Sequence, residues 1–217
     1  MKNVLAKLFL VFLTILPISS CLAKNADDAQ ALFVKAAKLE IATQVNDAIQ
    51  VYDELIKLYG NSSEPSVQEF VARSYASIIA LLDQQGKQDE EMKSLNEVID
   101  KFGKSTNPVI EEIIAASLVI KGVILHDQNK RDEAIASYDR VIKQFNNSNN
   151  PTIQELVAEA LANKGGALMG QMKFDESLVC LDEVINRFGS STNPEFFKIV
   201  ALAKANRNLV LSAQKSN

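Results

Sequence analysis

Tyr59-Gly-Asn-Ser-Ser-Glu-Pro65, Phe102-Gly-Lys-Ser-Thr-Asn-Pro108, Phe145-Asn-Asn-Ser-Asn-Asn-Pro151 and Phe188-Gly-Ser-Ser-Thr-Asn-Pro194 are four copies of one punctuation mark, each 43 residues after the last. A fixed period of this size is the signature of a stacked-repeat protein, in which each unit is one supersecondary element. The residues between the marks say which element. After Pro151, apolar residues fall at Ile153, Leu156, Val157, Ala160, Leu161, Leu168 and Met169, a helical stripe. A second stripe follows at Phe174, Leu178, Leu181, Ile185 and Phe188, and recurs as Ile49, Tyr52, Ile56, Tyr59, as Leu95, Ile99, Phe102, and as Ile135, Tyr138, Ile142, Phe145. No segment after residue 20 alternates with period two over strand length. The fold expected is all-α.

The helix ends are marked too. Asn107, Asn150 and Asn193, with Glu64 in the first copy, stand before Pro, which suits an N-cap followed by Pro at the first helical position. Gly60, Gly103 and Gly189, with Asn146, follow the second stripe and suit left-handed C-terminal caps. Asn46, Asp89, Asp132 and Asp175 are expected to cap the second helix of each unit, and Glu90, Glu133 and Glu176 to favour its positive end.

Each unit is therefore a first helix of about twenty residues, a tight turn and a second of about fifteen, a hairpin that buries its apolar face only by stacking. The architecture expected is an αα-hairpin solenoid, a right-handed superhelix of about four and a half repeats, with five first helices and four second helices. The fifth first helix, from Pro194 to about Ala213, is expected to carry a polar outer face through Lys198, Lys204, Asn208 and Gln214.

Residues 1–20 read as a targeting signal: Lys2 and Lys7 precede an apolar run from Leu8 to Leu16, and Pro17-Ile-Ser-Ser20 closes it. The run is short for a membrane span, which makes an uncleaved anchor the weaker alternative. Ile18-Ser-Ser-Cys21 resembles a bacterial lipobox, so Cys21 is the candidate lipid attachment site; cleavage after Ala23 is the competing reading. Residues 21–25 are expected to be a short linker and 26–214 the repeat domain. Export is expected, to the periplasm or to an outer-membrane lipoprotein facing it, with Leu22 rather than Asp after the cysteine favouring the outer membrane.

Formal charge is −4, and falls to −6 without Lys2 and Lys7. An acidic chain without clustered Lys or Arg argues against nucleic acid as a partner. Membrane contact is expected only through a lipid on Cys21. With Cys21 lipidated or removed, Cys180 stands alone; it shares a column with Ser94 and Ser137 and reads as a small packed side chain. The sole histidine, His126, lacks the second ligand or base that metal binding or catalysis would need. There is no HExxH, GxSxG or phosphate-binding glycine loop, and Gly165-Gly166 falls inside a helix at a close-packing position. Neither enzymatic activity nor a cofactor or metal is expected.

The unit resembles the tetratricopeptide repeat, in which a small residue in the first helix is followed twelve positions on by another, and four later by an aromatic or large residue. Gly122, Ala134 and Tyr138 match, as do Gly165, Ser177 and Leu181, and Ala36, Ala48 and Tyr52. The second copy departs, with Ile79 and Glu91, so looser or offset packing is expected there. The resemblance runs from about residue 26 to 214, with a unit longer than the usual one of about 34 residues. It is similar to a long bacterial variant with a second helix like Leu181-Asp-Glu-Val-Ile185.

The resemblance implies a scaffold whose first helices line a concave, partner-binding surface. Arg73, His126, Asn163 and Asn206 are the candidate partner contacts. Asn163 and Asn206 match the asparagine column of repeats that clamp a terminal carboxylate, and Arg73 a basic one. Their neighbouring columns hold Ala76, Ala116, Val119, Glu159 and Ala162, so the full clamp is absent. A groove of mixed apolar and polar contacts is expected instead; hydrogen bonds within the stack are the other reading of the two asparagines. Lys35, Lys121, Lys164 and Arg207, with Ile78 in the second copy, form a basic column that reads as a solvated face paired with acids, or as a ladder for an acidic partner. The function expected is a non-catalytic scaffold binding a protein or peptide in the bacterial envelope. The alternative is a structural lipoprotein subunit of an envelope assembly, and more remotely an enzyme or ligand sensor.

Overall fold

Proline begins four of the five first helices in the computed structural model, which describes residues 24–216. The expected signal, Cys21 and the start of the linker lie outside the described residues. Lys24 and Asn25, expected in the linker, already belong to the first helix. The first helices are α1 (Lys24–Ile41), α3 (Pro65–Gln84), α5 (Pro108–Asp127), α7 (Pro151–Gly170) and α9 (Pro194–Ser216). The second helices are α2 (Val45–Tyr59), α4 (Gln88–Phe102), α6 (Arg131–Phe145) and α8 (Phe174–Phe188). The described chain is thus all-α, a tandem array of helical hairpins with the expected helix lengths.

Two compact units divide the chain at Ser117–Leu118, inside α5. In residues 24–117, α2 packs on α1 and α3, α3 packs on α4, and α1 packs on α3. In residues 118–216, α7 packs on α6 and α8, and α9 packs on α8 and α7. Tyr52, Leu55, Leu95, Ile99, Tyr138 and Leu181 are buried core residues of the second helices. Each large apolar side chain so buried stabilises the fold by about 1.5–3 kcal/mol. The first helices are interior ones: residues 71–82 of α3 and 113–120 of α5 are buried on every side. A helix apolar all round belongs inside a protein.

The Asn-Pro starts work as expected. Asn107 Oδ1 accepts from the amides of Val109 at 2.9 Å and Ile110 at 3.2 Å, and Asn150 Oδ1 from Thr152 at 2.9 Å and Ile153 at 3.4 Å. Asn193 Oδ1 accepts from Glu195. Glu64 makes no such bond; its carboxylate accepts from the Ser66 hydroxyl instead. Behind each cap lies a serine: Ser62, Ser105, Ser148 and Ser191 accept from the amides of Glu64, Asn107, Asn150 and Asn193, all at 3.2 Å. Replacing Asn150 with Ala is expected to cost about 1 kcal/mol, read as a lower urea midpoint; an unchanged midpoint would show that Pro151 alone sets the helix start.

Two expected caps are corrected. Gly60, Gly103, Gly189 and Asn146 have φ of −56°, −61°, −65° and −53°, right-handed rather than left-handed. The left-handed residues are Thr43, Gly86, Asn129 and Met172, again one period apart, in the turn between first and second helix. The reason is turn length. That connection has three residues and must reverse the chain at once, whereas the Gly-to-Pro connection has five. The amides after the left-handed residues (Gln44, Lys87, Lys130 and Lys173) bond back to the carbonyls of Leu39, Leu82, Leu125 and Leu168, the arrangement that closes a helix on a left-handed residue.

Asn46, Asp89, Asp132 and Asp175 are not N-caps either. Gln44, Lys87, Lys130 and Lys173 hold that place without side-chain cap bonds, and the four acceptors sit one turn-step inside the helix. Three of them take a different donor. Gln85, Gln171 and Gln214, at the ends of the following first helices, donate to Asn46 at 2.9 Å, Asp132 at 2.8 Å and Asp175 at 2.9 Å. Gln214 therefore faces inward to α8 and is not part of an outer polar face.

Candidate functional site

Close packing of first on second helix fixes what each hairpin can present. A Cβ at Gly122 would lie 2.4 Å from Tyr138 Cε1, and one at Gly165 2.8 Å from Leu181 Cδ2 and Cγ. These glycines let the second helix approach, and Ser177 Oγ donates to the Gly165 carbonyl at 2.7 Å across the same seam. In the first hairpin Ala36 faces the same column, and the Tyr52 hydroxyl donates to Glu40 at 3.0 Å. Burial pushes the Tyr52 phenol up, and Glu40 also rises through burial, against the pull of that hydrogen bond.

In the second hairpin α3 and α4 approach less closely than the paired helices of the first and fourth, as the missing small residues imply, yet the seam is filled: Ile79 and Leu95 are fully buried and Glu91 is 2 % exposed. Glu91 Oε1 has no hydrogen-bond partner among the described residues. Burial first, and then the charge of Asp83, pushes its carboxyl up to about 7. An ionisable group thus stands where the other hairpins hold Ala48, Ala134 and Ser177.

The candidate contacts fall in both units, Arg73 in residues 24–117 and His126, Asn163 and Asn206 in residues 118–216. Arg73, in the unit of residues 24–117, is 6 % exposed, and its Nε and Nη2 donate to Glu69 at 3.0 and 2.8 Å. Ala76, Ala116, Val119 and Ala162, from the columns expected along the groove, are buried too. The physical reason is the apolar circumference of these helices, which draws them inward. His126 lies exposed at the end of α5, 3.8 Å from its neighbour Asp127. Asn163 on α7 and Asn206 on α9 are half-buried, without the side-chain hydrogen bonds to described residues that one reading expected. The Asn206 amide lies over Gly166, 3.8 Å from where a Cβ would stand.

Two members of the basic column, Lys164 and Arg207, take the paired form. Lys164 Nζ bonds Asp139 at 2.6 Å and Arg207 Nε bonds Asp182 at 2.5 Å, each reaching the preceding second helix. Ile78 leaves Asp53 of that same acidic column without a basic residue at its place; burial and the charge of Glu97 push Asp53 up, while Lys93 lowers it. Cys180 is buried and free, and burial raises its thiol against the pull of Lys164, which disfavours a reactive thiolate. Among the described residues, no three His, Cys, Asp or Glu converge as metal ligands, and no helix is long and apolar enough to cross a membrane.

Three periodic signals were present but unread: the serines behind the caps, the glutamines that tie hairpins together, and the left-handed turn residues. A fourth feature has no period. Phe197, Leu202 and Leu209 of α9 are exposed, where a polar outer face was expected. Lys198, Lys204 and Asn208 share that face, so it is mixed.

The structure defines a repeat protein of tandem αα-hairpins. Within that class, the tetratricopeptide repeat profile matches residues 30–62 and 116–148. These stretches carry the first and third hairpins, the two with Tyr52 and Tyr138 in the aromatic column. The second hairpin lacks both small residues and the fourth has Leu181 for the aromatic. No curated protein matches the chain. The chain is tetratricopeptide-like, and repeats of this kind generally mediate protein–protein interaction.

Proposed function

We propose that the chain is a non-catalytic scaffold that binds a segment of another protein in the bacterial cell envelope. One observation carries this: a hairpin whose profile belongs to protein-binding repeats occurs twice by match and four times by period. The first helices supply the binding surface, with Asn163 and Asn206 offering amide groups one period apart. The leader-like residues 1–20 and the Ile18-Ser-Ser-Cys21 box support export with a lipid on Cys21. A lipid with further acyl chains anchors stably where one chain alone is marginal.

Crosslinking and affinity capture from gently solubilised envelopes test the reading. A defined protein partner, lost on replacing Asn163 and Asn206 with Ala, is the expected result. Failure to recover any partner, with a small molecule raising the melting temperature instead, overturns it. Mass spectrometry of the N-terminus tests the anchor: an acylated Cys21 is expected, and a free amine at Lys24 removes it. The assembly-subunit reading draws on a different observation, the exposed apolar residues of α9.

A further inference from the structure

We propose that the first turn of α4 is a latch, closed on α3 while Glu91 is protonated and swung out about Gly86 once Glu91 is ionised. The proposal is independent of the scaffold reading. Glu91 is shut into the seam with nothing there to receive its charge: it is 2 % exposed, and its Oε1 has no hydrogen-bond partner among the described residues. The same place in the other hairpins holds Ala48, Ala134 and Ser177, all buried, and Ser177 meets its first helix by donating to the Gly165 carbonyl. A carboxylate cannot donate, and a buried charge without a partner costs far more than the neutral acid.

The surrounding charges do not help. From α3, the helix packed on α4, the group that faces Glu91 is Asp83, of like sign. On its own helix the neighbouring ionisable groups are Asp89 and Glu90, with Lys87 before them and Lys93 after, all four exposed. Burial first, and then Asp83, pushes the Glu91 carboxyl up to about 7, which brings the change of state near neutrality.

The chain beside Glu91 is the part of the hairpin that can give way. Residues 84–87 are exposed, and α4 starts at Gln88 without a side-chain cap. The left-handed residue of this turn is Gly86, where the other turns have Thr43, Asn129 and Met172. Glycine loses the most conformational freedom on ordering, so this turn opens at the least cost. Apart from its chain neighbours, nothing lies within 4 Å of where a Gly86 Cβ would stand, so the turn swings into open space. Melting one helical turn exposes far less than unfolding the unit, and it is the cheaper route by which an ionised Glu91 reaches water.

Below pH 4.5 Glu91 is neutral whether the latch is open or closed, and closure is favoured. Between 4.5 and about 7 the open form releases its proton first, so opening rises about tenfold per pH unit, then levels off. Amide hydrogen exchange of the full chain, corrected for intrinsic rates, reads this at residues 91–94; the Glu91 amide bonds the Lys87 carbonyl at 2.9 Å. Opening there is expected to follow that rise in the wild type and to lose it in Glu91→Gln, which keeps the shape and drops the charge. It should also be indifferent to urea well below the unfolding transition, as a local opening is. Gly86→Asn, which borrows the residue of the Asn129 turn, should lower opening about two- to fivefold at every pH. Identical pH profiles in the wild type and Glu91→Gln overturn the proposal, as does opening unaffected by Gly86→Asn. So does exchange at 91–94 that matches the amides of α2 in rate and in urea dependence, because Glu91 then reaches water only when the whole unit unfolds. That last outcome removes the latch alone and leaves a pH-dependent stability in place.

Discussion

Replacing Gly122 with isoleucine is expected to destabilise the protein by about 3 kcal/mol, at the upper end for overpacking a core. The added Cβ would stand 2.4 Å from Tyr138 Cε1 and 2.8 Å from Cδ1 and Cζ, and Tyr138 is fully buried. The gain in helix propensity over glycine is a few tenths of a kcal/mol and does not offset the clash. The second hairpin supplies the remedy, since it holds Ile79 opposite Leu95, both fully buried. Gly122→Ile combined with Tyr138→Leu should therefore cost less than the two single changes added together, with a coupling of about 1 kcal/mol or more. Urea unfolding of the two singles and the double measures it. Strict additivity would mean that helix α6 simply shifts away and that the glycine is not what sets its approach.

The second large effect concerns pH. Glu91 has a carboxyl raised from 4.5 to about 7 by burial, with Asp83 adding to the rise. Below pH 4.5 the acid is neutral in both folded and unfolded chains and contributes nothing to the balance. Between 4.5 and about 7 the unfolded chain releases its proton first, so stability falls as pH rises. Above about 7 the deficit is constant, about 3 kcal/mol for a shift of this size at a site 2 % exposed. Glu91→Gln should therefore leave stability at pH 4.5 little changed and raise it markedly at pH 8. The measurement is the urea midpoint from pH 4 to 8 for both proteins. Parallel profiles would sink the assignment and place the pH dependence on other carboxylates.

Much of the fold was legible because its signals are local. The period of 43, the two helix lengths and the Asn-Pro starts each depend on residues within a few positions of one another, and Asn107, Asn150 and Asn193 cap as read. The turn between first and second helix was misread for a local reason as well. Thr43, Asn129 and Met172 take the left-handed conformation that glycine usually marks, and only Gly86 advertised it. Once that residue is left-handed, the cap moves upstream, and Asn46, Asp132 and Asp175 become acceptors for Gln85, Gln171 and Gln214, 39 residues away.

The candidate site was less legible because exposure is a property of neighbours. Arg73 sits in a column expected to face a groove, yet its helix is buried on every side and the guanidinium holds Glu69. Glu91 reads in the chain as a mismatch in a small-residue slot, but its raised carboxyl follows from how closely α4 is enclosed. The apolar face of α9 likewise shows in the chain as Phe197, Leu202 and Leu209, residues that a helix normally buries. What turns outward depends on which side α7 and α8 cover. Periodicity and capping chemistry therefore settled the kind of repeat and the number of helices, since backbone propensities act within a turn or two. Desolvation, ion pairing and open surface came from packing between helices some forty residues apart, where the solvent access of a side chain is set by what lies against it.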